Sequence, residues 1–302
     1  MSLLSEAREA LRYRELLNNL VERELQVRYK NSTLGIAWSL ANPIARALVL
    51  VVVFKYFVNI GPENYSAYVL AAFFPWTFFL TGILDAGESV SRQMALVKKV
   101  YFPRELLPIA TTIANLRHFI LSLGVLGVYL VYLYGRAWVE NAPGVAKLPP
   151  AEILLLPILV LMQTLLIGGI ALFISALNVF VEDVKFLTAV LLDLLFYAVP
   201  IIYFLEQVEH TSAIPSAGLR QAVHTLLLLN PMTVILASYR SFLLAPAELP
   251  AGTFGQATNQ PLIVNTGVPW PFFWLAFAVC VLAFLGGYAF FNKRKWRFVE
   301  QL

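Results

Sequence analysis

The sequence predicts an all-α integral membrane protein: six transmembrane helices, an amphipathic interface helix ahead of them and two short re-entrant helices at the outer face. Three observations carry this prediction. Of the 302 residues, 59% are hydrophobic and 13% charged, against about 45–50% and about 25% in an average soluble domain. A water-soluble fold could not hide that much apolar surface. The apolar residues gather into runs of about twenty, the length that crosses a hydrocarbon core. No segment shows the short apolar–polar alternation of an outer-membrane barrel, so backbone groups in lipid have to be satisfied inside helices.

Residues 1–34 form a cytoplasmic N-terminal region. Residues 1–17 contain Arg8, Arg12, Arg14 and three glutamates but no apolar h-region, so no cleaved signal peptide is expected and the first span serves for insertion. Tyr13, Leu16, Leu17, Leu20, Val21 and Leu25 recur at helical spacing, with Arg14, Glu15, Asn18, Asn19, Glu22 and Arg23 on another face, as in an amphipathic helix. Such a helix suits the cytoplasmic interface, with basic groups near headgroups and leucines among acyl chains. The other reading is a helix docked on a partner.

Residues 35–302 form the membrane domain, with spans near residues 36–58, 67–90, 106–134, 153–180, 186–205 and 272–291. Lys and Arg set their orientation. The N-terminus, the loops 89–105 and 182–185, and the C-terminus hold fifteen of the 22 basic residues, which places these four regions on the cytoplasmic side. Residues 219–244 could pass as a seventh span. An odd count would put Lys293, Arg294, Lys295 and Arg297 on the wrong face, so the segment reads as two short helices, 219–229 and 232–244. Pro231 separates them by removing a donor and disfavouring helix at Asn230, and residues 245–271 follow as a polar outer loop rich in Pro and Gly.

Little in the sequence supports catalysis. Cys280 is the single cysteine, and His118, His210 and His224 have no zinc-site spacing, so no metal site is expected. There is no Gly-Lys pair and no Gly-x-Ser-x-Gly elbow, so a phosphate-cradling loop is absent and any ATP would be hydrolysed by another chain. The net charge of +4 comes from basic residues flanking apolar runs, which argues for membrane orientation and against nucleic acid.

Arg46, Lys55, Asp85, Arg117 and Asp193 fall inside predicted spans, where ionisable groups are costly and become candidates for function. Lys55 and Asp85 lie near enough to span ends to snorkel, and Arg117 or Asp193 could pair between helices. Aromatics cluster at Phe54, Tyr56 and Phe57, at Phe73, Phe74, Trp76, Phe78 and Phe79, and at Phe196, Tyr197, Tyr203 and Phe204. They read either as lipid-facing and interfacial anchors or as a stacking surface for sugar rings inside a wide path.

The string Arg28-Tyr29-Lys30-Asn31-Ser32-Thr33-Leu34-Gly35-Ile36-Ala37-Trp38 resembles the motif that opens the first span of polysaccharide-export permeases in the type-2 ABC exporter superfamily. The resemblance continues, in order, through Lys98-Lys99-Val100-Tyr101-Phe102-Pro103-Arg104-Glu105, Asn230-Pro231-Met232, Tyr239-Arg240 and Arg297-Phe298. One departure is Glu182, where such permeases usually carry an Arg before the Asp at 183.

The resemblance implies a permease subunit, not an enzyme, in the cell inner membrane. It would work as a homodimer with two ATP-binding cassette ATPase subunits that hold ATP and Mg, the permease chain itself carrying no cofactor. The cargo would be a lipid-linked polysaccharide such as O-antigen or teichoic acid. Residues 88–105 would be the coupling loop, where Ser91, Arg92, Met94, Val97, Lys98 and Lys99 dock into the ATPase, with Glu182 and Asp183 making a second contact. Val90, Met94 and Val97 would fill a partner groove; the alternative is a plain positive-inside anchor.

Arg14, Arg23, Arg28 and Lys30 would receive the pyrophosphate-linked lipid headgroup. Phe54, Phe57, Phe196, Tyr197 and Tyr203 would line the channel, and Asn230, Pro231, Tyr239 and Arg240 would form an outer gate within residues 206–271. Other readings are a drug- or lipid-exporting permease of the same superfamily, or a membrane enzyme acting on polyprenyl-linked sugars. An enzyme needs clustered acids in a large loop, whereas Glu206, Glu209 and Glu248 are widely spaced.

Overall fold

The computed structural model describes residues 12–29, 37–57, 62, 64–99, 102–140, 148–250 and 260–299. Lys30 and most of the 28–38 string lie outside these residues, as do Val100 and Tyr101.

The chain is mostly helical. Helix α1 (Arg14–Tyr29) is followed by α2 (Ala37–Val52), which a π-helical turn extends to Phe57. Next come α3 (Tyr65–Arg92), the short α4 (Met94–Lys99), α5 (Leu106–Glu140) and α6 (Leu156–Asn178), the last preceded by the 3-10 turn Ala151–Leu155. Helices α7 (Asp183–Ala198), α8 (Leu205–Glu209), α9 (Ala217–Leu229) and α10 (Pro231–Leu243) lead to strands β1 (Ala247–Leu249) and β2 (Leu262–Val264). The long α11 (Trp270–Arg294) then ends in the 3-10 turn Lys295–Val299.

Among the described residues, four helices are long and apolar enough to span a bilayer: Tyr65–Arg92, Leu106–Glu140, Ala151–Asn178 and Trp270–Phe298. The pair α9–α10 would be a fifth if taken as one bent span. Helix α7 stops short of the predicted end at residue 205, because Val199 is extended ahead of Pro200, where helical backbone is disfavoured. Its 16 residues reach about 24 Å, less than the hydrocarbon thickness of about 30 Å.

The predicted break at Asn230-Pro231 is present. Helices α9 and α10 meet at 89°, with Asn230 extended and its side-chain oxygen accepting from the Met232 amide at 2.9 Å. The residue 245–271 loop has more order than its composition suggests. Strands β1 and β2 pair antiparallel, Ala247 opposite Val264 and Leu249 opposite Leu262. Beyond them Asn265 adopts positive φ and donates to the Leu244 carbonyl at 2.7 Å while accepting from Ser241 at 3.0 Å.

Helix α3 is the centre of the bundle, buried along most of its length against α5 and α6. In lipid such helices associate through small residues and interhelical hydrogen bonds, and both are found here. A Cβ on Gly287 of α11 would collide with the backbone of Gly169 on α6, and one on Gly169 with that of Ala283. Gln163 donates to the Pro75 carbonyl at 2.6 Å, and Asn178 to the Gly87 carbonyl at 2.8 Å. One apolar cluster fills most of the bundle; a second, at the end carrying the basic loops, joins Leu20 and Val21 of α1 to Val90, Val97, Phe102, Leu106, Phe291 and Phe298. The Leu20 and Val21 side chains, expected among acyl chains, are therefore buried in the protein itself.

Candidate functional site

Helices α2, α3, α5 and α7 converge on a cavity of ≈ 850 Å³. Asn42 and Arg46, one turn apart on α2, place Arg46 Nε 3.0 Å from Asn42 Oδ1. Asp193, Phe196 and Tyr197 come from one face of α7, and Asn115, His118 and Phe119 from α5. Helix α3 supplies Phe73, Trp76, Thr77 and Thr81; both threonines satisfy their hydroxyls on carbonyls one turn back, at 2.9 and 2.8 Å.

The aromatic lining falls into two groups. Phe196 makes edge contacts with Phe73 at 6.4 Å, Trp76 at 5.8 Å and Tyr197 at 5.2 Å, while Phe78 and Phe119 stack at 4.8 Å. Flat π surfaces beside amide, guanidinium and carboxylate groups suit a polyol, whose C–H faces stack while its hydroxyls hydrogen-bond. Asn115 also donates to Asp85 at 3.2 Å, so Asp85 is tied between helices.

Of the aromatics expected to line a channel, Phe196 and Tyr197 border this cavity. Phe54 is half-buried against the core, Phe57 is 81% exposed away from the cavity, and Tyr203 lies in the elbow after α7 with its hydroxyl on the Ala198 carbonyl at 2.6 Å. Sequence reasoning missed Asn42, Asn115 and His118 as lining residues. The spacing of Asn42 with Arg46 was the available signal for the first; the other two had none.

The two stretches expected to couple to an ATPase share one end of the bundle. Gln93, at the break between α3 and α4, donates to Glu24 of α1 at 2.6 Å. The Asn178–Gly87 bond brings the loop carrying Glu182 and Asp183 to the same end. Ser91, Arg92, Lys98, Lys99, Glu182 and Asp183 are exposed, and Met94 is half-buried. Val90 and Val97 are buried inside the chain. They complete its own apolar cluster, so neither is available to fill a partner groove, and the exposed groups named here carry both signs of charge.

Arg14 and Arg23 are exposed on α1, and Arg28 lies in its last turn. Nine residues separate the first two, which at 3.6 residues per turn sets them about 180° apart and about 14 Å along the axis. They form no single cluster.

At the opposite end, Arg240 of α10 is only 3% exposed. Its guanidinium donates to the carbonyls of Tyr68 at 3.0 Å, Tyr203 at 2.8 Å and Ile201 at 2.5 Å, and sits 4.8 Å from the Phe204 ring centroid. It thereby clasps α3, α10 and the elbow after α7. The neighbouring Tyr239 is fully buried with its ring on Phe119 at 5.9 Å. Glu209 pairs with His224 at 2.9 Å, and Glu206 accepts from the Thr266 amide at 2.9 Å, which ties α8 to α9 and to the loop before α11.

An apolar helical bundle, an open aromatic and polar cavity between its helices and basic loops gathered at one end define a membrane transport subunit. The sequence profile of the ABC-2 type transporter family matches residues 15–244, and the chain belongs to that family. Among its relatives is the O-antigen export system permease protein RfbA of Myxococcus xanthus, 32% identical over 234 residues, which cover 78% of this chain and 82% of that protein. The protein of the same name from Klebsiella pneumoniae is 24% identical over 292 residues, 95% of each chain. The chain is thus a multi-pass membrane protein homologous to O-antigen export permeases.

Proposed function

We propose that two copies of this chain form the conduit of an ATP-driven exporter that moves lipid-linked polysaccharide across the inner membrane, with ATP and Mg held by two separate ATPase subunits. The observation that carries this reading is the cavity walled by Phe73, Trp76, Phe196 and Tyr197 beside Asn42, Arg46 and Asp193. It occurs in a chain related over most of its length to O-antigen export permeases. Its rings hold sugar units through dispersion and C–H contacts that tolerate sequence changes in the glycan, as a conduit for a long polymer requires.

In this reading there are six spans. Helix α2 with its π-helical extension is the first, and α7 with the elbow after it is the fifth. Both termini are cytoplasmic, which places Ser91, Arg92, Met94, Lys98, Lys99, Glu182 and Asp183 at the ATPase. Arg14, Arg23 and Arg28, acting singly along α1, border the entrance used by the lipid phosphate, with Lys30 next to them in sequence. Helices α9 and α10 re-enter from the outer face, and Asn230, Pro231, Tyr239 and Arg240 shape the outer gate.

Deleting the gene in its native cell tests the reading. Surface glycan, labelled by periodate and hydrazide on intact cells, is expected to disappear while lipid-linked glycan accumulates inside. Unchanged surface glycan would overturn the function. A reporter fused after Leu244 is expected to read as external, and a cytoplasmic reading there would undo the span count and the gate.

A further inference from the structure

The turn Lys295–Val299 holds three distant segments together. Glu105 immediately precedes α5 and is 1% exposed; its carboxylate oxygens lie 3.3 and 3.4 Å from Lys295 Nζ, which is itself buried just past the end of α11. Arg104 donates to the Lys295 carbonyl and lies 6.0 Å from the Phe298 ring centroid. Phe298 is fully buried, edge-on to Phe291 at 5.4 Å and to Phe180 at 5.8 Å. Phe180 ends the segment leading to Glu182 and Asp183, and Arg104-Glu105 closes the segment leading from α4.

The charges are placed to suit this task. A carboxylate at a helix N-terminus and an ammonium at a helix C-terminus are each favoured by the helix dipole, and Arg104 adds a charged donor to the Lys295 carbonyl at the end of α11. A buried ion pair adds little stability that matched apolar residues could not supply. What it adds here is direction: the pair fixes the start of α5 against the end of α11, where Val97 and Phe102 of the coupling segment join the same cluster.

We infer that the turn Lys295–Val299 is a positioning element of the transport cycle. Lys295 and Phe298 bind the segment after α4 and the loop after α6 into one rigid unit. A displacement imposed on either loop then reaches α11 and, through the close Gly169–Gly287 crossing, α6. This inference rests on the proposed function, because it assumes that an ATPase subunit moves those loops.

The test uses inverted membrane vesicles from the native cell, containing the complete complex and its endogenous lipid-linked glycan. Vanadate-sensitive ATP hydrolysis is measured alongside glycan that becomes inaccessible to periodate–hydrazide until detergent is added. Glu105→Gln keeps the side-chain size and removes the ion pair, and it is expected to lower glycan moved per ATP by about fivefold or more. The exchanged pair Glu105→Lys with Lys295→Glu is expected to raise that ratio above the Glu105→Gln value. A merely structural pair would change the amount of complex and leave the ratio alone.

A monodisperse Glu105→Gln complex with a ratio within about twofold of wild type overturns the inference. If that variant does not accumulate, Phe298→Leu decides by the same ratio: it keeps apolar burial and loses the ring contacts, so a fall supports the inference and an unchanged value overturns it. Wild-type vesicles that hydrolyse ATP without shielding glycan, or that shield glycan without ATP, overturn the proposed function itself before any variant is compared.

Discussion

Replacing Arg240 with methionine removes a buried guanidinium that donates to three carbonyls, of Tyr68, Tyr203 and Ile201, and sits over Phe204. Hydrogen bonds from a charged donor contribute about 1.5–3 kcal/mol each, and a desolvated cation–π contact about 2 kcal/mol. Adding these would overstate the effect, since desolvating the cation offsets much of the gain. Depriving buried carbonyls of a donor costs about 1–3 kcal/mol each, and with part of that offset by losing the desolvated cation, a net of about 3–5 kcal/mol is expected for Arg240→Met.

At about 2 °C per kcal/mol for a chain of this size, the apparent melting midpoint falls by about 6–10 °C. The assay heats solubilised protein and follows the monodisperse peak on size exclusion. Arg240→Lys keeps the charge but loses the planar fork, so its midpoint falls between wild type and Arg240→Met. A midpoint for Arg240→Met within about 2 °C of wild type would refute the clasp between α3, α10 and the elbow after α7.

Three further outcomes are expected. Gly287→Leu cannot fit against the Gly169 backbone and should not accumulate as folded protein, whereas Gly286→Leu, where an added Cβ meets nothing within 4 Å, should accumulate normally; membrane yield on immunoblots decides. Asn230→Ala loses the cap on α10 and lowers stability by about 1 kcal/mol, while Asn230→Asp keeps an acceptor and stays near wild type in the same thermal assay. Phe196→Ala removes the ring that joins Phe73, Trp76 and Tyr197 and should slow surface glycan appearance in cells. Phe57→Ala, lying outside the cavity, should not; equal effects from the two would argue against the cavity as the path.

Hydropathy located the helices around 65–92, 106–140, 151–178 and 270–294 because crossing hydrocarbon is a local requirement on each run of residues. The fifth predicted span was placed too far along, since Val199-Pro200 ends α7 early and hydropathy does not register backbone geometry. The pairing of β1 with β2 also went unforeseen: two three-residue strands separated by a polar stretch have too little pattern to stand out.

The cavity was only half legible. Phe196 and Tyr197 could be nominated as aromatics in a span, but so could Phe54, Phe57 and Tyr203, and composition does not rank them. A soluble helix betrays its inner face by polar residues on the other side, whereas in a bilayer both faces are apolar and the periodicity carries little information. Val97 shows the same limit: its helical spacing suggested a partner groove, and its burial beneath Phe102 and Leu106 depended on how α4 turns at Gln93.

The amino-acid order alone determined that this chain belongs in a membrane, where its principal helices run, where Pro231 breaks α9 from α10 and which motifs tie it to its family, because each depends on residues close together along the chain. The tertiary structure decided which rings face the cavity, that Arg240 binds carbonyls 37 to 172 residues away, and that Glu105 meets Lys295 across 190 residues. Such contacts come from the way the bundle closes, and a buried charge declares its partner only once the helices that carry both have packed.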